Sequence, residues 1–164
     1  MKKYLQKKLN NEKGMTLIEL LAVIVIIAII AAIAIPAIGN IIDNSRVGAS
    51  KSDALNAFAA AELYLAENED AFTAAGAGSI TADELTGGGY IKDFGSFTGT
   101  GATKPTFELV SGNLVISATA VNGGVTVGFT KTTKANVQAL DNSDNTAAAV
   151  GSDEVPPATV TVTR

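Results

Sequence analysis

The sequence predicts an α+β chain in which a long N-terminal helix packs, through its second half, on a C-terminal antiparallel sheet. Three observations carry this expectation. Residues 15–35 form an almost unbroken apolar run. From Ala37 onward apolar residues continue at helical spacing, but on one face only. Beyond Gly87 the period falls to two, and Gly-containing turn signals separate the segments.

The apolar run is 21 residues long, and its one strongly polar member is Glu19. At a rise of 1.5 Å per residue such a helix is roughly 30 Å long, close to the hydrocarbon thickness of a bilayer. A chain of 164 residues is too small to enclose it in a soluble core. The expected element is therefore a transmembrane helix. Charge gives its orientation. The first fourteen residues hold Lys2, Lys3, Lys7, Lys8 and Lys13 against Glu12, a net +4, whereas the remainder holds seven basic and fifteen acidic residues, a net −8. A basic head before an apolar run keeps the N-terminus in the cytoplasm. The acidic body disfavours binding to nucleic acid.

Pro36 follows the run and Gly39 comes three residues later. Proline lacks a backbone donor and restricts the residue before it, so a kink or local break is expected at this point. The helical pattern then resumes. Val47, Ala54, Phe58, Ala61 and Leu65 fall on one face, with Arg46, Lys51, Asp53, Glu62 and Glu67 largely elsewhere around the axis. The Ala-rich stretch at residues 57–66 favours helix, and Ala75-Gly76-Ala77-Gly78 predicts its end near residues 68–73.

Residues 106–110, 114–120 and 125–130 read as strands of an antiparallel meander, separated by Ser111-Gly112-Asn113 and Asn122-Gly123-Gly124. Residues 159–163 alternate Thr and Val as a final strand. Between them, residues 141–157 read as a polar loop ending in Pro156-Pro157, long enough for an exposed functional loop or for a hidden strand.

The chemistry-bearing string is Lys13-Gly14-Met15-Thr16-Leu17-Ile18-Glu19-Leu20-Leu21, closed by Pro36. It resembles the class III signal of type IV prepilins and of type II secretion pseudopilins. The resemblance implies a pilin-like fold and cleavage by a prepilin peptidase between Gly14 and Met15, with methylation of the new N-terminus at Met15. It places Glu19 five residues after the cut and Pro36 twenty-two after it. Met15 stands where Phe is usual, and the second helix-bending Pro of many pilins is absent, with Asn56 near its place. The implied partners are other copies of the chain in a helical filament, the peptidase, an assembly platform with its ATPase, and the membrane. The implied organisation is a leader at 1–14, a transmembrane and filament-core helix at 15–36, an amphipathic continuation at 37–72 and a β-rich domain at 73–164. The implied location is the cytoplasmic membrane before assembly and a cell-surface filament after it.

Physical chemistry gives Glu19 a role beside that resemblance. A carboxylate in a membrane helix costs roughly 2.5–3.5 kcal/mol near mid-bilayer, so it is normally kept for function and paired. Cleavage before Met15 creates an α-amine of opposite charge. A neighbouring subunit, staggered along the axis, could bring its amine to Glu19 and so set the register of assembly.

The competing readings are an ordinary secretory signal cut near Ala32-Ile33-Ala34 and a simple signal anchor. The length of the apolar run and the Glu inside it argue against the first, and the Gly-to-Glu string with its Pro offset against the second. The sequence therefore points to a structural subunit, a major pilin, with a pseudopilin of a DNA-uptake or type II secretion apparatus and a non-polymerising membrane-anchored binding module as alternatives. No catalytic set and no cofactor or metal site is expected: the chain has no Cys and no His. The run Gly99-Thr100-Gly101-Ala102-Thr103-Lys104 lacks the ending of a phosphate loop and reads as turn. Residues 141–145 lack the Gly and distal Glu of a Ca²⁺ loop.

Overall fold

A computed structural model of the chain describes residues 17–68, 72, 78–143 and 159–164. Helix α1 spans Leu17–Glu67, 51 residues. The chain divides into two compact units between Ile41 and Ile42.

In the first unit the described residues are helical throughout, and their side chains are exposed except at Ala31 and Ala34, which are half-buried. Pro36 lies inside the helix, and helical structure continues through Gly39. The break expected from sequence is therefore not an interruption of the helix. A proline costs the bond that its own N–H would have made to the Ala32 carbonyl, and the flanking turns can carry the helix across that one gap.

In the second unit α1 buries Val47, Ser50, Ala54, Ala57, Phe58, Ala60 and Ala61. These recur every three or four residues and form one stripe. Small Ala side chains let the helix lie close to the sheet, and Phe58 fills the space between them. Its ring meets Phe107 edge-to-face at 5.3 Å. Leu65 is half-buried against the same core. The helix ends at Glu67, just before the segment expected from the Gly-rich signal, and the Asn68 N–H and side-chain amide both donate to the Tyr64 carbonyl at 2.9 Å.

The sheet has five antiparallel strands in sequential order: β1 (Ser79–Thr81), β2 (Thr103–Val110), β3 (Asn113–Asn122), β4 (Val125–Thr133) and β5 (Thr159–Thr163). Two-residue turns make the central hairpins. Ser111 and Gly112 have φ of 52° and 82°, and Gly123 and Gly124 have φ of 56° and 102°. Turns with positive φ at both positions match the right-handed twist of the paired strands. The inward faces carry Phe107, Ile116, Ala118, Ala120, Val125, Val127, Phe129, Val160 and Val162. The outward faces of β4 and β5 are chiefly Thr, the β-branched residue that also tolerates water.

Four elements escaped the sequence reading. β1 is three residues long, too short for a period to register. Helix α2 (Ala82–Gly87) is started by a capping box in which the Thr81 and Glu84 side chains each bond the other's backbone N–H. A single 3₁₀ turn spans Gly95–Phe97 and buries Phe97. Helix α3 (Lys134–Ala139) follows β4 directly, with Thr133 as its N-cap. The run from Gly99 is turn, as expected, with the Ala102 N–H donating to the Gly99 carbonyl at 3.0 Å, while Thr103 and Lys104 open β2.

Candidate functional site

The candidate site is the apolar half of α1. Between Leu17 and Ile42 the helix carries no charged side chain but Glu19. Its large side chains face outward on every side of the axis, from Leu17 at 82 % exposure to Ile42 at 45 %. A helix that is apolar all round and uncovered has lipid or other apolar helices as its natural surroundings, because water cannot accommodate that much hydrocarbon without cost. Over residues 17–42 this helix is long and apolar enough to cross a membrane.

Glu19 lies in the first described turn of α1 and is exposed. Gly14 and Met15, the expected cleavage pair, lie outside the described residues. Glu19 and Pro36 are 17 residues apart on one continuous helix, about 25 Å along its axis. A Cβ added at Gly39 would meet nothing within 4 Å. Close packing within the described chain therefore does not require glycine at that position.

The second unit holds its own long-range polar links, none of them legible as motifs. The Asp53 carboxylate accepts from the Ser96 N–H and hydroxyl. The Lys134 ammonium meets both oxygens of Glu62 at 2.8 Å. The Lys51 ammonium donates to the carbonyls of Gln138 and Leu140. At the end of α1 the Tyr90 hydroxyl donates to Glu67 at 2.6 Å, and this bond is the main reason that the Tyr90 pKa is raised. Tyr90 also meets Tyr64 edge-to-face at 5.3 Å. The Asp141 carboxyl is held below its usual range, chiefly because it accepts from the Ser143 N–H and hydroxyl, with Lys51 adding a smaller attraction. Of the acidic and amide run read as a weak Ca²⁺ candidate, Asp144 and Asn145 lie outside the described residues.

A long N-terminal helix on a five-stranded antiparallel sheet is an α+β, pilin-like architecture. Residues 9–35 match the family model for the prokaryotic N-terminal methylation motif, the signature of type IV prepilin-like leaders. No curated protein and no solved structure matches the chain. The matched motif and the apolar helix together support a type IV pilin-like or pseudopilin protein, which suggests a structural role. They are consistent with processing by a prepilin peptidase, assembly into a filament and anchoring in a membrane.

Proposed function

We propose that this chain is the major structural subunit of a type IV pilus-like filament. In this reading it is inserted with its N-terminus in the cytoplasm, cut between Gly14 and Met15, methylated on the Met15 amine, and drawn by an assembly platform and its ATPase from the membrane into a surface polymer. The observation that carries the reading is the methylation motif at residues 9–35 running into a helix whose apolar side chains are exposed on all sides. Such a helix is at ease in lipid. Once it leaves the bilayer it needs equivalent cover, and a bundle of identical helices supplies it. Glu19 would then act between subunits, its carboxylate taking the neighbour's α-amine and fixing the stagger. Pro36 and Gly39 would weaken hydrogen bonding over residues 32–40, leaving a place where the helix can extend under load.

The test is mass spectrometry of filaments sheared from cells. The expected mature chain begins at Met15 and carries one added methyl group. A chain that begins at Met1 or beyond residue 30, or one that never enters the sheared fraction, overturns the reading. Abundance separates the major subunit from a pseudopilin, since a major subunit dominates that fraction.

A further inference from the structure

We propose that residues 134–143 form a strap that opens and closes over α1 as one unit, and that Lys51 is its latch. The strap is fastened to α1 at both ends. At its start the Lys134 ammonium meets Glu62 at 2.8 Å. At its far end the Lys51 ammonium donates to the Gln138 carbonyl at 2.8 Å and to the Leu140 carbonyl at 3.0 Å. Glu62 and Lys51 are eleven residues apart, about 16 Å along the helix. The strap therefore runs antiparallel to α1, from Glu62 toward its N-terminal side. It continues in that direction, because the Asn142 amide nitrogen lies 2.8 Å from where a Cβ on Gly48 would sit. The Arg164 guanidinium then donates to the Asn142 carbonyl at 2.7 Å and ties the chain end to the same place.

Three features make this segment a unit with its own stability. It hangs from β4 outside the ladder that joins β4 to β5. Val137 and Leu140 are its buried apolar side chains among the described residues, so its hold on the core rests on these two. Helix α3 has six residues, too few to persist without outside contacts. The last carbonyls of a helix have no partner within it. Lys51 supplies partners for two carbonyls at the end of α3 and places a positive charge at the negative end of its dipole. Two buried side chains and a short helix held from outside by Lys51, with Lys134 and Arg164 fastening its flanks, describe an element that can open as a unit apart from the sheet.

The test is hydrogen exchange on the full-length chain in detergent micelles, read by mass spectrometry, for the wild type, Lys51→Met, Lys51→Arg and Gly48→Ala. In Lys51→Met the amides of residues 137–140 are expected to exchange at least tenfold faster, while those of β2, β3 and β4 stay within about twofold. Lys51→Arg keeps a cationic donor and should restore most of the protection. Gly48→Ala should raise exchange at residues 140–143 while leaving α1 as protected as before, because alanine favours helix but its methyl group displaces Asn142. Unchanged exchange at 137–140 in Lys51→Met overturns the latch. So does an equal rise across the sheet, or failure of Lys51→Met to fold while Gly48→Ala behaves as wild type, since either assigns Lys51 to the whole fold.

Discussion

The carboxylate of Asp53, on the third turn of the buried half of α1, accepts two hydrogen bonds from Ser96, from its N–H at 2.8 Å and from its hydroxyl at 2.7 Å. The approach is possible because residue 95 is glycine. It has a φ of +54°, and a Cβ there would lie 2.5 Å from the same carboxylate. Asp53 thus positions the 3₁₀ turn that presents Phe97 to the core, where its ring meets Phe129 at 5.9 Å.

This pair gives a first prediction. Asp53→Ala removes bonds to a charged, partly buried acceptor and should cost about 1.5–3 kcal/mol. Gly95→Ala should cost a similar amount, through both the backbone and the collision with Asp53. The two losses should be less than additive, because removing the carboxylate removes the collision. Denaturant unfolding of both single variants and the double variant checks this. Full additivity would count against the geometry.

A second prediction concerns Lys131. It has a φ of +47° at a bulge where it and Thr130 stand opposite Ser117, whose hydroxyl accepts its N–H at 3.2 Å. Lys131→Gly should lie within about 1 kcal/mol of wild type, since relief of the left-handed backbone offsets the loss of a half-exposed ion pair with Glu108. Lys131→Val should be destabilised by about 1–2 kcal/mol, as a β-branched residue is poorly accommodated there. Melting temperatures that place the two variants in the opposite order would refute this account.

The third prediction is a pH dependence. The Asp141 carboxyl has its pKa lowered in the folded chain. Such a group stabilises the fold at pH values above its unfolded pKa, and that contribution fades as pH falls through the lower folded value. Facing it are the Ser143 N–H and hydroxyl and, more weakly, the Lys51 ammonium. Asp141→Asn should therefore match wild type in strong acid and fall below it toward neutral pH. Thermal melts of both chains between pH 2 and 7 give the comparison, and a constant difference would show that the carboxylate's charge is not involved.

The proposed cleavage supplies the fourth. Gly14→Val should leave the leader attached, because a peptidase must bind the backbone closely at the cut and a branched side chain obstructs that approach. The intact mass of membrane protein reads the outcome. Normal maturation of this variant would remove Gly14 from the cleavage site.

The fifth concerns Glu19. Glu19→Gln keeps the shape of the side chain and leaves Gly14 and Met15 in place, so the chain should still be inserted and cut. Loss of the charge should ease residence in the bilayer. Polymer in the sheared fraction should nonetheless fall sharply while mature subunit accumulates in the membrane. Wild-type polymer yield would remove the pairing role, and loss of the mature subunit itself would assign Glu19 to processing or stability.

The apolar half of α1, its amphipathic continuation and four of the five strands could be read directly from sequence. Each rests on a period, whether an unbroken run, a repeat near 3.6 or a repeat of two, and a period is a property of neighbouring residues alone. Val47, Ala54, Phe58 and Ala61 fall on the buried stripe for that reason. The methylation motif matched at residues 9–35 is likewise local, because it is one short unbroken stretch of chain. What only the tertiary structure decided are contacts between residues far apart. Lys51 reaches carbonyls 87 and 89 residues away, Lys134 pairs with Glu62 across 72, and Asp53 holds Ser96 across 43. In sequence these are ordinary charges on the solvent side of a helix. Their partners are backbone groups, or elements such as the 3₁₀ turn and α3 that are too short to show a period, and no spacing along the chain anticipates which charge will reach them.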